Sequence, residues 1–212
     1  MLKVTTYPLG PIQTNCYIIK DEANNCLVID PGEEGERIIA EIENAGLTPA
    51  AILLTHGHFD HIGAVDDVRD KFKIPVYIHE IEKDTLTDPV QNGSTRYAGL
   101  PPVKNKKADI LITKEGMLEV GPFKFEVRHT PGHSPGSICF IFEEARFAFV
   151  GDTLFKGSIG RTDLPGGDTA VLLAAIHGKL LTLDEDYVIY PGHGPSTTPH
   201  EEMDTNPFLN GF

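Results

Sequence analysis

The chain is short of cysteine, of positive charge and of long apolar runs, and each shortage narrows its chemistry. Its three cysteines, Cys16, Cys26 and Cys139, are odd in number and form no CxxC pair. They fit small core residues in a reducing compartment better than a disulfide frame or a thiolate metal site. Lysine and arginine total 18 against 31 aspartates and glutamates, a formal net charge of −13. Phosphate backbones call for a basic surface, so nucleic acid is not an expected partner. Bound cations would offset part of that charge locally. No apolar run approaches the length needed to span a bilayer, so a membrane is not expected as a partner either. The opening Met1-Leu2-Lys3-Val4-Thr5-Thr6 lacks the charged and apolar regions of a secretory signal, and the expected location is cytoplasmic.

What is present reads as one globular domain over residues 1–212. Lys3–Tyr7, Asn15–Lys20 and Cys26–Ile29 are expected strands, separated by turn-rich Pro8–Pro11 and Asp21–Asn25. Glu36–Asn44 carries Ile38, Ile39 and Ile42 at helical spacing, with Gly46 placed to end the helix. Ala50–Leu54 reads as a buried strand, His61–Phe72 as a helix and Pro75–His79 as a further strand. Residues 80–109 are irregular and locally basic, and read equally as a lid or as a plain surface excursion. Two hairpins follow, Met117–Val120 with Phe123–His129 and Ser137–Phe142 with Phe147–Val150, the second turning at Glu143–Arg146. Thr169–Leu181 is an expected helix, Tyr187–Tyr190 a last strand, and Pro199–Asp204 a short helix with Thr198 as N-cap. Two half-sheets, each with its own helices, predict an α/β (α+β) architecture of two sheets covered outside by helices.

The chemistry concentrates in Thr55-His56-Gly57-His58-Phe59-Asp60-His61, directly after the strand Ala50–Leu54. Histidine is the commonest metal ligand, and a carboxylate among histidines suits zinc or iron. His56 and His58 are two apart, so extended backbone points them to one side. Asp60 and His61 follow across the turn and can address a second point. The layout reads as half of a two-metal site; a solvated histidine-rich loop is the plainer alternative. Ligand-type residues recur at other strand ends: Asp30, His133 in His129–Ser134, Asp152 in Val150–Thr153, and His193 in Tyr190–Gly194. Glycines beside them allow tight turns. His79, His177 and His200 read as packing or surface residues, and His129 either as a brace behind a ligand or as neither. Phe140, Phe142, Phe147 and Phe149 alternate as sheet core would, with Cys139 beside them.

Together these segments resemble the metallo-β-lactamase fold superfamily, from Asp30 to His193. The resemblance implies a four-layer αββα sandwich with a metal site along one edge of the sheets. It implies that His56, His58 and His133 bind a first divalent ion, that Asp60, His61 and His193 bind a second, and that Asp152 bridges both. Zinc is the expected metal, with iron or manganese also accepted. Asp60 would in addition hold the attacking water, and Asp30 would orient a ligand or its loop. A cysteine at the bridging position would have pointed to true β-lactamases; Asp152 does not.

Within the superfamily, Thr55–Gly63 and Thr130–Gly136 are similar to the glyoxalase II (hydroxyacylglutathione hydrolase) group, and Gly157–Gly167 is similar to its short bacterial members. The implied activity is hydrolysis of a small-molecule thioester such as S-lactoylglutathione. The stretch after His193 is too short for the helical glutathione-binding domain of full-length members, which is expected to be absent. Arg161 and Lys156 read either as surface cations or as contacts for a substrate carboxylate. A mononuclear-iron persulfide dioxygenase is the main rival, kept alive by Gly160–Asp163. A nuclease of the same fold would want a basic face, and a non-catalytic binding module would have lost ligands. A monomer or small homo-oligomer is expected.

Overall fold

The computed structural model describes residues 1–210, organised in two compact units: Met1–Thr113 with Val120–Pro122, and Lys114–Glu119 with the chain from Phe123 onward. The first unit holds a six-stranded sheet whose spatial order follows the sequence: β1 (Lys3–Leu9), β2 (Thr14–Lys20), β3 (Asn25–Ile29), β4 (Thr48–Leu53), β5 (Val76–His79) and β6 (Ile110–Ile112). The first three strands pair antiparallel, and β3 to β6 run parallel. Parallel neighbours need a crossover. The helix α1 (Gly35–Asn44) supplies one between β3 and β4, and α3 (Val65–Phe72) supplies one between β4 and β5. Ile18, Val28, Ile52 and Ile78 from the strands pack with Ile38, Ile42, Val65 and Val68 from these helices. Each such buried side chain stabilises the unit by roughly 1.5–3 kcal/mol.

Several boundaries differ from the sequence expectation for identifiable reasons. The strand β1 runs through Pro8 to Leu9, which is permitted because β1 is an edge strand and proline there costs no ladder bond. The expected helix His61–Phe72 is instead two pieces, α2 (Phe59–Ile62) and α3. Between them the amide of Ala64 donates to the carbonyl of Pro31 at 2.9 Å instead of continuing a helix. Gly63 lies against the Gly32 backbone so closely that a Cβ would collide with the Gly32 carbonyl. The end of α1 is as the sequence indicates: Gly46 has φ 60°, and the amides of Gly46 and Leu47 bond back to Glu43 and Ile42.

The irregular residues 80–109 are cross-tied within themselves by Asn92 and to α2 by Asn105. Asn92 donates its amide to the carbonyls of Thr85 and Val103, and Asn105 donates to Ile62. The short strand β6 closes this stretch and was not expected.

The second unit holds a five-stranded sheet in the order β13-β10-β9-β8-β7. Its strands are β7 (Gly116–Val120), β8 (Phe123–His129), β9 (Ile138–Phe142), β10 (Phe147–Gly151) and β13 (Val188–Pro191). The small hairpin β11 (Leu154–Phe155)–β12 (Ser158–Ile159) lies between β10 and β13 in sequence. Both expected hairpins are present, and β10 and β13 run parallel. One face buries Cys139, Ile141 and Val150 with Leu172, Ile176 and Leu180. The aromatic face sets Phe125, Phe140, Phe142, Phe147, Phe149 and Tyr190 in ring contacts such as the 5.1 Å stack of Phe149 on Tyr190. The helix α4 (Thr169–Ala175) widens into a π-turn over Ile176–Leu180 instead of continuing as an α-helix to Leu181. The helix α5 (Pro199–Thr205) is capped by Thr198, whose hydroxyl accepts from the Glu201 amide. Among the described residues no helix is long and apolar enough to cross a membrane.

Candidate metal centre

In the first unit, parallel pairing of β3 and β4 places their C-terminal ends side by side. Asp30 follows β3 and the Thr55–His61 stretch follows β4, so the carboxylate meets the cluster. Asp30 Oδ1 accepts from the Thr55 amide at 2.8 Å, and Oδ2 accepts from Thr55 Oγ1 at 2.6 Å and from His61 Nδ1 at 2.9 Å. These bonds fix protons. A carboxylate only accepts, so His61 carries a hydrogen on Nδ1, and the ring, when neutral, presents Nε2 as a lone pair. Thr55 Oγ1 spends its hydrogen on Asp30 and therefore accepts from His56 Nδ1, 3.1 Å away. With that ring neutral, His56 Nε2 is also a lone pair, 3.1 Å from His58 Nδ1. Ligand atoms of Asp30, His56 and His61 lie within 4.8 Å of one another.

His56 and His58 lie in the loop, whereas Asp60 and His61 are on α2. Asp60 Oδ2 stands 3.5 Å from His61 Nε2 and accepts from Thr14 Oγ1 at 2.8 Å. A Cβ on Gly32 would collide with the carbonyl oxygen of Asp60, so a close backbone contact seats this turn.

In the second unit, Asp152 follows β10 and His193 follows β13, and the Gly192 amide bonds the Gly151 carbonyl at 2.8 Å. His193 Nε2 and His133 Nε2 each lie 3.5 Å from Asp152 Oδ2. His133 Nδ1 donates to the backbone carbonyl of Arg161 at 2.8 Å, so the ring, when neutral, presents Nε2 as a lone pair. The loop carrying His133 is braced by His129, whose Nε2 donates to the Pro135 carbonyl. Gly160 packs so closely that a Cβ would collide with the Asp152 carbonyl and crowd His133. Phe155 sets its ring edge-on to His193 at 6.0 Å.

Neutral imidazole lone pairs beside carboxylates are the donor chemistry of divalent zinc, iron and manganese, and the partners behind the histidines are those that orient such ligands. Both sets therefore fit metal ions.

The expected substrate contacts are already engaged. The Arg161 guanidinium forks onto Asp163 at 2.7 and 2.8 Å and holds that carboxyl down to about 2. Lys156 pairs with Glu201 at 2.9 Å, which raises the lysine and lowers the glutamate. His79 caps a turn through Nδ1, while His177 and His200 are exposed. Sequence reasoning missed Thr14, Thr55 and the carbonyl of Arg161. Thr55 had a visible signal, its place immediately before His56. Thr14 is distant in sequence, and a carbonyl has no sequence signature.

Residues 9–193 match the family described as the Metallo-beta-lactamase superfamily. The chain is 52% identical to a Bacillus subtilis protein named "Probable metallo-hydrolase YqgX", over 100% of this chain and 99% of that one. It is 40% identical to the hydroxyacylglutathione hydrolase GloC of Haemophilus influenzae, over 99% of both. Among solved structures, BLEG-1 B3 metallo-beta-lactamase superposes with a TM-score of 0.96 at 52% identity, over 99% of this chain and 100% of that one. TTHA1623 in a di-iron-bound form superposes with a TM-score of 0.86 at 40% identity, over 97% and 100%. Donor sets prepared for cations at strand ends, on a fold shared over this length, lead to one conclusion: the chain belongs to the metallo-β-lactamase superfamily, as a metal-dependent hydrolase.

Proposed function

We propose that the chain is a glyoxalase II-like thioester hydrolase working as one domain, with His56, His58 and His133 holding one divalent ion, Asp60, His61 and His193 a second, and Asp152 shared. The observation that carries the metal-dependent part is that Nδ1 of His56, His61 and His133 is engaged by an oxygen acceptor, so each ring, when neutral, presents Nε2 as a lone pair. The thioester part draws support from the 40% identity to GloC across both chains. Zinc is the metal of choice, with iron or manganese accepted by the same donors.

Ions held by these residues would supply Lewis acidity, polarising an acyl carbonyl and lowering the pKa of a bound water from 15.7 towards about 7. The residues do the rest. Asp60, held by Thr14, accepts a hydrogen from the attacking water and aims it. Asp30 and Thr55 keep His61 and His56 from rotating. The leaving thiol has a pKa of about 8.5, so it departs as thiolate without an acid to protonate it; no serine or cysteine nucleophile is needed. Arg161 and Lys156 remain the candidate contacts for a substrate carboxylate, in competition with Asp163 and Glu201. A cytoplasmic location agrees with three buried free thiols, and a monomer or small homo-oligomer is the working assembly.

The test is metal analysis of purified protein combined with a thioester panel that includes S-lactoylglutathione. Hydrolysis is expected to vanish with chelator and return with zinc, iron or manganese. Asp152→Ala is expected to lose metal and turnover together; unchanged metal content and rate in that variant would remove the bridging assignment. The 52% identity to a protein named as a B3 metallo-β-lactamase favours β-lactam hydrolysis as a second reading. A chromogenic cephalosporin in the same panel separates the two, and oxygen uptake with glutathione persulfide separates both from a dioxygenase.

A further inference from the structure

The first unit contains a cavity of about 320 Å³ that metal binding does not require. One wall is the turn after β1, with Ile12; the other is the stretch Leu100–Lys104. Asp60 and Thr14 line it, as does Phe59, so it reaches the carboxylate that aims the water. Its other lining groups are aliphatic, proline or glycine, with Glu33 and Lys104 the charged exceptions. Ile12 and Leu100 are 42% and 37% exposed although both are large and apolar. Apolar side chains exposed together around a concavity mark a place where something else is to be buried.

The wall is built, not loose. Asn92 donates to the Val103 carbonyl, Asn105 donates to the Ile62 carbonyl, the Val103 amide donates to Ser94 Oγ at 3.0 Å, and Tyr97 packs on Phe59 at 5.2 Å. These contacts set the stretch as one wall of the cavity. The volume is at the low end for small-molecule pockets, so the group it takes is short.

We propose that this cavity seats a short apolar arm of the substrate, and that the chain prefers thioesters carrying such an arm over highly polar ones. A lactoyl group, small and hydroxylated, would use little of it. The inference rests on the hydrolytic reading of Asp60.

The test uses the full metal-loaded protein and two series of substrates. In one, acyl groups from acetyl to octanoyl are carried on N-acetylcysteamine. In the other, the acetyl group is carried on thiols of increasing apolar length. The ratio kcat/KM is expected to rise about fourfold per methylene in one series until the cavity is full, and the responding series tells whether the arm is acyl or thiol. Leu100→Trp narrows the cavity at an exposed position, and is expected to lower the hexanoyl-to-acetyl efficiency ratio at least tenfold if the arm is acyl, or the matching ratio in the thiol series. A flat profile in both series, or an unchanged profile in the variant, overturns the proposal. If no thioester reacts, the hydrolytic reading fails first. Calorimetry with non-hydrolysable S-alkyl thioethers of N-acetylcysteamine then reads the cavity alone: affinity that grows with length and falls tenfold in Leu100→Trp upholds the apolar site, and absence of binding removes it.

Discussion

Asp30 combines a left-handed backbone (φ 48°) with a buried carboxylate that accepts three hydrogen bonds. A non-glycine residue in that region costs energy and persists where its surroundings over-determine it. Asp30→Asn keeps the shape and tolerates the backbone but cannot accept from all three donors. It is expected to weaken metal binding about 10–100-fold and to lower unfolding stability by about 1–3 kcal/mol; chelator competition and urea denaturation read the two effects. Thr55→Val removes only the acceptor for His56 Nδ1 and the donor to Asp30, so affinity for metal should fall with less loss of stability. The three thiols lend themselves to a pH test. Burial pushes Cys139 up to about 11 and Cys26 up to about 12 from an ordinary value of 9.0. The unfolded thiol ionises first as pH rises, so the stability these groups contribute is whole below about pH 9 and is lost between there and about pH 11–12. Thermal melts should fall steeply over that window and less so in Cys139→Ala, and a thiol reagent at pH 7 should label all three cysteines only after denaturation.

At the scale of elements, close backbone approach shapes the turn that carries Asp60. Gly32→Ala would drive a Cβ into the Asp60 carbonyl, and about 1–3 kcal/mol of stability should be lost, read as an earlier urea midpoint. Gly178→Ala meets nothing within 4 Å and should be neutral or slightly stabilising. Glu202 is fully buried and accepts from Thr197 Oγ1, Asn206 Nδ2 and the Gly157 amide, tying α5 to the β11–β12 hairpin. Glu202→Ala strands three donors and should cost more than any surface substitution in α5.

The sequence was legible wherever an apolar run or helical period was long. The strands β2 to β5, the pair β9–β10 and the cores of α1 and α4 stand close to where their residues put them. The strand β6 and the hairpin β11–β12 were illegible because two or three residues carry no period. The split of α2 from α3 was illegible because it comes from Gly32 meeting Gly63, a contact between distant backbones. The ligand-type residues were visible as histidines and aspartates after strands. Their supports, Thr14 and the Arg161 carbonyl, were not, because only folding brings them to Asp60 and His133.

For the molecule as a whole, bound cations should dominate measured stability. An ion present at a thousand times its dissociation constant adds about 4 kcal/mol, which for a chain of 212 residues corresponds to about 10 °C. Calorimetric scans with and without chelator should differ by an amount of that order, and identical scans would refute tight metal binding. With a net charge of −13, the protein should also leave the mobility of DNA and RNA unchanged at physiological salt.

The bond from His133 to the main-chain oxygen of Arg161 carries a consequence for how such a molecule changes its preferences. Every amino acid brings that oxygen, so position 161 can be diversified in a library without withdrawing the acceptor behind His133. Selection acting on the side chain and retention of the imidazole geometry are thereby uncoupled at a single residue.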